Sequence, residues 1–216
     1  MKFKTIVFDL DGTLLDTLDD LADSMNSVLA GNGYPTHEVE AYKYFVGNGL
    51  RNLVYRTFPE NRRDDRNVDR GLANLRDEYS RRWDNKTKPY KRIPEILIAL
   101  KERNLKMAVL SNKADDFTNL MVKKLLPGGK FDMVFGERPG VPKKPAPQGA
   151  LEIARALEVK PSECLYLGDT GIDMKTAVSA GMYPMGVLWG FRKAEELVEN
   201  GARILIAEPS VVLDLL

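Results

Sequence analysis

Asp9 and Asp11 stand one residue apart at the end of the apolar run Ile6-Val7-Phe8, within Asp9-Leu10-Asp11-Gly12-Thr13-Leu14-Leu15-Asp16. Residues two apart on an extended chain project to the same side, so both carboxylates can converge on one phosphate if the backbone stays extended through Leu10. Gly12 then lets the chain turn away. A carboxylate can be phosphorylated directly, which splits one hard displacement into two easier ones, provided a cation offsets the charge it shares with its target. In that chemistry Asp9 is the nucleophile and Asp11 the proton carrier. The same residues also suit a plainer role, an Asp- and Thr-rich turn that begins the next helix.

Three further segments follow in order. Ser111-Asn112-Lys113 closes the apolar run Met107-Ala108-Val109-Leu110 and offers a hydroxyl and main-chain donors for phosphate oxygens. Lys144 lies in Lys143-Lys144-Pro145-Ala146-Pro147, and Gly168-Asp169-Thr170-Gly171-Ile172-Asp173 ends the run Cys164-Leu165-Tyr166-Leu167. With Asp9 to Thr13, these segments resemble the four motifs of the haloacid dehalogenase superfamily of phosphatases, along nearly the whole chain. The resemblance implies that Asp9 and Asp11 are catalytic and that Gly12, Ser111, Asn112 and Lys144 bind phosphate. It also implies a Mg2+ cofactor held by Asp9, Asp169 and the Asp11 main-chain carbonyl. Asp173 would support that site through water or by holding Lys144 and its loop, the alternative being an ordinary acid at a helix start. Electrostatics agrees with these roles, because a dianionic phosphate beside a carboxylate needs fixed cations and donors, and magnesium favours oxygen ligands.

A narrower resemblance appears at Val46-Gly47-Asn48-Gly49 with Leu53 and Arg56, which is similar to the substrate loop of the phosphoglycolate phosphatase branch. It implies that Gly47, Asn48, Gly49 and Arg56 set substrate specificity, since backbone amides and a guanidinium suit a small carboxylate or second phosphate. A helix-to-helix turn with an exposed arginine is the alternative, and Arg51 is a looser candidate. Trp189-Gly190-Phe191-Arg192 followed by Glu195-Glu196-Leu197 also resembles that branch, with Gly190 allowing a loop near the active-site mouth. One position departs: where relatives often carry glycine before Ile93-Pro94, this chain has Arg92.

The activity implied is magnesium-dependent hydrolysis of a small phosphomonoester through an aspartyl-phosphate, with 2-phosphoglycolate giving glycolate and phosphate. Alternatives on the same scaffold are a pyrophosphatase, a sugar-phosphate phosphatase or a phosphosugar mutase. A non-catalytic regulatory protein that keeps the fold belongs to a different class. Asp11 favours ester cleavage over carbon–halogen cleavage, because an alkoxide leaving group needs a proton and a halide does not.

These residues need a frame. Apolar runs recur at Thr5 to Phe8, Lys106 to Leu110, Met133 to Phe135, Leu165 to Leu167, Met185 to Leu188 and Ile204 to Ile206, alternating with helical patterns such as Ile96, Leu97 and Leu100. That alternation predicts an α/β fold, a doubly wound parallel sheet of Rossmann-like type with helices on both faces. Ligands of such sheets bind beyond the carboxyl ends of the strands, where Asp9, Ser111 and Asp169 all fall. The stretch between Asp16 and Lys106 is too long for a crossover of roughly a dozen residues. Helical repeats at Leu21, Met25, Val28 and Leu29, at Leu50, Leu53 and Val54, and from Leu72 to Trp83 predict an inserted helical cap domain. The expected division is a core of 1–15 and 90–216 and a cap of 16–89, with Gly31-Asn32-Gly33 as a helix stop and Lys88-Pro89-Tyr90 as the second hinge.

The whole-chain balance narrows the partners. With 216 residues and a net charge of +1, the chain has no general electrostatic grip on nucleic acid or membrane. The run Arg62-Arg63-Asp64-Asp65-Arg66 reads as a solvated face. The single cysteine, Cys164, reads as an inert buried thiol, and the single histidine, His37, as a surface residue near a helix start. Met1-Lys2-Phe3-Lys4 runs into the first strand without a signal peptide, and no segment suits a bilayer, so a cytoplasmic location is expected. The expected partner is a small phosphorylated metabolite, with the protein a monomer or homodimer.

Overall fold

The computed structural model describes residues 3–216. In chain order the elements are β1 Thr5–Phe8, β2 Leu15–Asp16, α1 Leu18–Gly31, α2 Val39–Phe45, α3 Leu50–Thr57, α4 Asp65–Arg82 and β3 Lys88–Pro89. There follow α5 Ile93–Glu102, β4 Lys106–Ala114, α6 Asp115–Leu125, β5 Met133–Glu137, α7 Gln148–Ala156, β6 Cys164–Gly168, α8 Gly171–Ala180, β7 Tyr183–Val187, α9 Ala194–Glu199 and β8 Ile204–Ile206. They gather into two compact units, one of 1–15 with 89–216 and one of 16–88.

The first unit is built on a six-stranded sheet of order β5-β4-β1-β6-β7-β8, parallel in every pairing. β1 lies at its centre with Phe8 opposite Val109 on one side and Leu167 on the other. From β1 the sheet grows first through β4 to β5, then across to β6, β7 and β8, so the order reverses beside β1. Such a reversal opens a crevice at the carboxyl ends of the strands, which is where Asp9 begins. The inner strands β1, β6 and β7 and most of β4 are buried on both faces, as a parallel sheet under helices must be, while the edge strands β5 and β8 are mostly half-buried. On one face Val7, Ala108 and Tyr166 pack with Ala150, Ile153 and Ala154 of α7 and Ala177 and Ala180 of α8. The α/β fold class expected from the apolar runs is the fold observed. β4 continues past Leu110 to Ala114, carrying Ser111 to Lys113 within the strand and not beyond it.

The second unit is helical. In α1 the buried Leu18, Leu21, Ala22, Met25, Val28 and Leu29 follow the 3.6-residue period and form the stripe that α4 covers with Val68, Leu75 and Tyr79. Gly71 lets α4 approach α3, for a β-carbon there would lie 2.6 Å from the Phe58 ring and 2.7 Å from Val54. Asp64 N-caps α4 by accepting from the Asn67 amide at 3.0 Å, so one acid of the exposed Arg62–Arg66 run has a structural task. His37 corrects the surface expectation. It precedes α2 but is half-buried, with Nε2 2.9 Å from the Thr57 carbonyl and its amide bonded to Asn26. Among the described residues no helix is long and apolar enough to cross a membrane.

Candidate active site

The site is assembled from the carboxyl ends of β1, β4 and β6 and the loop before α7. Asp9 follows Phe8 directly. Its Oδ1 accepts from the Leu10 amide at 2.7 Å and pairs with Lys144 Nζ at 2.8 Å. Lys144 Nζ also lies 2.7 Å from Asp173 Oδ1, and all three side chains are nearly or wholly buried. Asp173 Oδ2 accepts from the amide and the hydroxyl of Thr170, at 3.1 and 2.6 Å, forming a capping box at the start of α8. Asp173 thus begins a helix and pairs with Lys144 at the same time.

Asp169 ends β6 with two supports. Oδ1 accepts from the Thr13 hydroxyl at 3.0 Å and Oδ2 from the Phe191 amide at 2.9 Å. Two glycines make room for it. A β-carbon on Gly12, which has φ +85°, would fall 2.3 Å from Asp169 Oδ2, and one on Gly190 would fall 2.3 Å from the Asp169 β-carbon. Trp189 closes the same corner by donating from Nε1 to the Thr13 carbonyl at 3.0 Å. The Trp189–Arg192 loop thus contacts the acidic centre.

Asp9, Asp169 and Asp173 each place a carboxylate oxygen within 4.8 Å of the others. Burial, then the neighbouring Asp173, push the Asp9 carboxyl well above the usual carboxylate range, and the same two causes push Asp169 up to about 7. Burial alone would lower the Lys144 ammonium, but Asp173 and Asp9 more than offset it and hold it above the ordinary lysine value. Three buried carboxylates around one ammonium leave negative charge uncompensated. Hard oxygen donors in that state fit a small divalent cation. Asp11 stands outside this group, ion-paired with Lys113.

Two expected phosphate donors have additional duties. The Asn112 side chain donates to the Lys144 carbonyl at 3.0 Å and accepts from the Lys144 amide at 2.9 Å, so it fixes the lysine-bearing loop. Ser111 Oγ accepts from the Lys113 amide at 3.1 Å. In the helical unit, Gly47 and Gly49 have φ values of +107° and +83°, and Gly49 is the N-cap of α3. Arg56 Nη1 donates to the Tyr44 and Phe45 carbonyls at 3.2 Å each, closing the last turn of α2. Arg51 pairs on the surface with Asp65 and Asp69. Cys164 is buried, and burial pushes its thiol up to about 11, far from a nucleophile.

The family model described as haloacid dehalogenase-like hydrolase matches residues 6–187. The chain belongs to this family. Over 213 residues it is 29% identical to a phosphoglycolate phosphatase of Aquifex aeolicus, covering 99% of this chain and 96% of the relative. It is 31% identical over 207 residues to a phosphoglycolate phosphatase of Pseudomonas syringae pv. tomato, covering 94% of this chain and 76% of the relative. A crystal structure from Lactobacillus delbrueckii subsp. bulgaricus, provisionally assigned as a phosphoglycolate phosphatase, superposes with a TM-score of 0.93 at 31% identity, covering 100% of this chain and 98% of that one. As a haloacid dehalogenase-like hydrolase, the chain has in Asp9, Lys144 and Asp169 a set of groups suited to phosphoryl transfer.

Proposed function

We propose that this hydrolase cleaves a small phosphomonoester, 2-phosphoglycolate, by transferring its phosphoryl group to Asp9 and then to water. The observation that carries the reading is the Asp9–Lys144 pair in a buried acidic pocket, 2.8 Å apart, at the switch point of the sheet. Lys144 screens the nucleophile from the dianion it must attack, and the Ser111 hydroxyl with the main chain at Gly12 and Asn112 accommodates the phosphate oxygens. In the first half-reaction the Asp9 carboxylate bonds to phosphorus as the ester bond breaks, and Asp11 gives the leaving oxygen its proton. In the second, Asp11 takes a proton from water as water displaces Asp9.

Asp9, Asp169 and the Asp11 main-chain carbonyl would hold a Mg2+ ion, which when bound supplies compensation for the charge on the phosphate. Asp173 would support the site by holding Lys144 through the ion pair between them. The 16–88 unit serves as the cap, and its Gly47-Asn48-Gly49 turn confers specificity through main-chain amides, while Arg56 braces α2. The substrate assignment draws on the names of the relatives and on that turn.

Phosphate release from 2-phosphoglycolate, pyrophosphate, hexose phosphates and nucleoside monophosphates, with magnesium and with chelator, tests the reading. The expected result is magnesium-dependent turnover with the highest kcat/KM on 2-phosphoglycolate, reduced by at least about 1,000-fold in a folded Asp9→Asn variant. Full activity in that variant would remove Asp9 as nucleophile, and a preference for another ester would overturn the substrate.

A further inference from the structure

Lys113 is a buried cation that the phosphoryl-transfer scheme above does not use. Its side chain is 2% exposed, and its Nζ lies 3.0 and 3.2 Å from the two carboxylate oxygens of Asp11. The main chain around it is fixed from both directions: its amide donates to Ser111 Oγ at 3.1 Å and its carbonyl accepts from the Thr118 hydroxyl at 3.2 Å. β1 and β4 run parallel with Phe8 opposite Val109, so Asp11 and Lys113 leave the sheet on neighbouring strands. A buried ammonium is costly unless paired, and an anchored one that meets both oxygens of a carboxylate restrains the plane of that carboxylate as well as its position.

The buried cations of this site divide their partners. Lys144 serves Asp9 and Asp173, while Lys113 serves Asp11 and holds it apart from the Asp9, Asp169 and Asp173 group. An ammonium has donors and no acceptor, so both contacts use carboxylate oxygens of Asp11 as acceptors and fix how that side chain is held. Asp11 remains partly exposed at 18%, open to an incoming water on its free side.

We propose that Lys113 is the positioning residue for Asp11 in the second half-reaction, the hydrolysis of the aspartyl-phosphate; this rests on the function proposed above. In that step the water oxygen bonds to phosphorus, the bond between phosphorus and the Asp9 oxygen breaks, and its electron pair restores the Asp9 carboxylate. The proton lost by water passes to Asp11, and inorganic phosphate leaves. Without Lys113 the Asp11 side chain rotates freely and can turn toward Lys144, so the base is out of line.

An activated aryl phosphate separates the two halves, because its leaving group departs as a stable oxide without a proton. The pre-steady-state burst of aryl alcohol then reports phosphorylation of Asp9, and the steady-state rate reports release of the phosphoryl group to water. In Lys113→Met the burst rate stays within about 3-fold of wild type, the steady-state rate falls by about 10- to 100-fold, and acid-quenched phosphoenzyme accumulates. Lys113→Arg recovers most of the steady-state rate. If Lys113→Met does not fold by circular dichroism, the same split is expected in Lys113→Gln. A burst that slows in parallel with turnover would make Lys113 a phosphate ligand or a support of the fold and overturn the proposal, as would unchanged turnover. Wild type releasing no more aryl alcohol than the Asp9→Asn blank would overturn the proposed function instead, a result distinct from failure of the Lys113 assignment.

Discussion

The two units treat charge in opposite ways. In the α/β unit the buried acids and bases among the described residues, Asp9, Lys113, Lys144, Asp169 and Asp173, gather at the ends of β1, β4 and β6, in the loop before α7 and in the first turn of α8. In the helical unit the ion pairs lie on the surface, as in Arg51 with Asp65 and Asp69 or Arg81 with Asp77 and Glu78, and Asp20 alone of the described acids and bases is buried. Asp20 meets no cation inside: it accepts from the Lys86 and Thr87 amides and the Thr87 hydroxyl, at 2.7 to 3.1 Å. Desolvated charge opposing desolvated charge is expensive and context-dependent in stability, whereas a carboxylate satisfied by neutral donors is an ordinary tie between segments. The first arrangement is the mark of chemistry, the second of construction.

The sharpest way to break this contrast is to remove the cation at the centre of the first unit. Lys144→Met leaves Asp9 and Asp173 facing each other across an apolar side chain, with nothing to screen the nucleophile from a phosphate dianion. Turnover is expected to fall by at least about 100-fold, the scale of losing a preorganised electrostatic group. A folded variant with near-wild-type kcat would show that the buried charge in this unit is structural after all. Activity on the aryl phosphate, which needs no proton for its leaving group, should fall as steeply as activity on an alkyl ester, unlike the step-specific loss expected at Lys113.

Asp20 gives the smaller and opposite result. Replacing it by Ala removes the acceptor of the buried Thr87 amide and the tie between the first turn of α1 and the return segment. A loss of about 2 kcal/mol in unfolding free energy is expected from denaturant titration, since an orphaned buried donor costs about 1–3 kcal/mol. Asp20→Asn, which keeps an acceptor, should recover about half of it. If Asp20→Ala unfolded with wild-type stability, the buried carboxylate would be free of a structural task and the contrast between the units would lose one side.

The same contrast explains what the sequence could disclose. The sheet was legible because its inner strands are buried on both faces and therefore apolar throughout, and Asp9, Ser111 and Asp169 were legible because each ends such a run. Partners far apart in the chain were not. Lys113 stood in view beside Ser111 and Asn112, yet its pairing with Asp11 spans 102 residues and follows from the β1–β4 register, which no local pattern encodes. Thr13 reaches Asp169 across 156 residues and Phe191 across 22. Arg56 Nη1 likewise meets the Tyr44 and Phe45 carbonyls, a contact that follows from how α2 ends and not from the glycine-rich turn before it. The two-residue strands β2 and β3, and the short α2, carry too few residues for any period to show.

Backbone strain divides between the units as charge does. Among the described residues, the non-glycine positions with positive φ are Arg92, Asn104 and Glu158, all in the α/β unit. Asn104 and Glu158 follow the ends of α5 and α7, where a left-handed residue commonly stops a helix. Arg92 instead sits at the N-cap of α5, with φ 68° and ψ 0°, directly after the segment that returns from the helical unit. The side chain is exposed and the conformation is one that glycine adopts without cost. Left-handed backbone costs an L-residue roughly 1–2 kcal/mol, and glycine returns part of that through its greater freedom when unfolded. Arg92→Gly is therefore expected to raise unfolding free energy by about 0.5–1 kcal/mol, the smallest of these effects. Glu158→Gly is the control that relieves similar strain at an ordinary helix end. Equal stabilisation in both, with unchanged kcat on the phosphomonoester, would make Arg92 a neutral departure. A stabilised Arg92→Gly protein whose kcat changed while Glu158→Gly left it alone would tie the strained turn to the working of the enzyme.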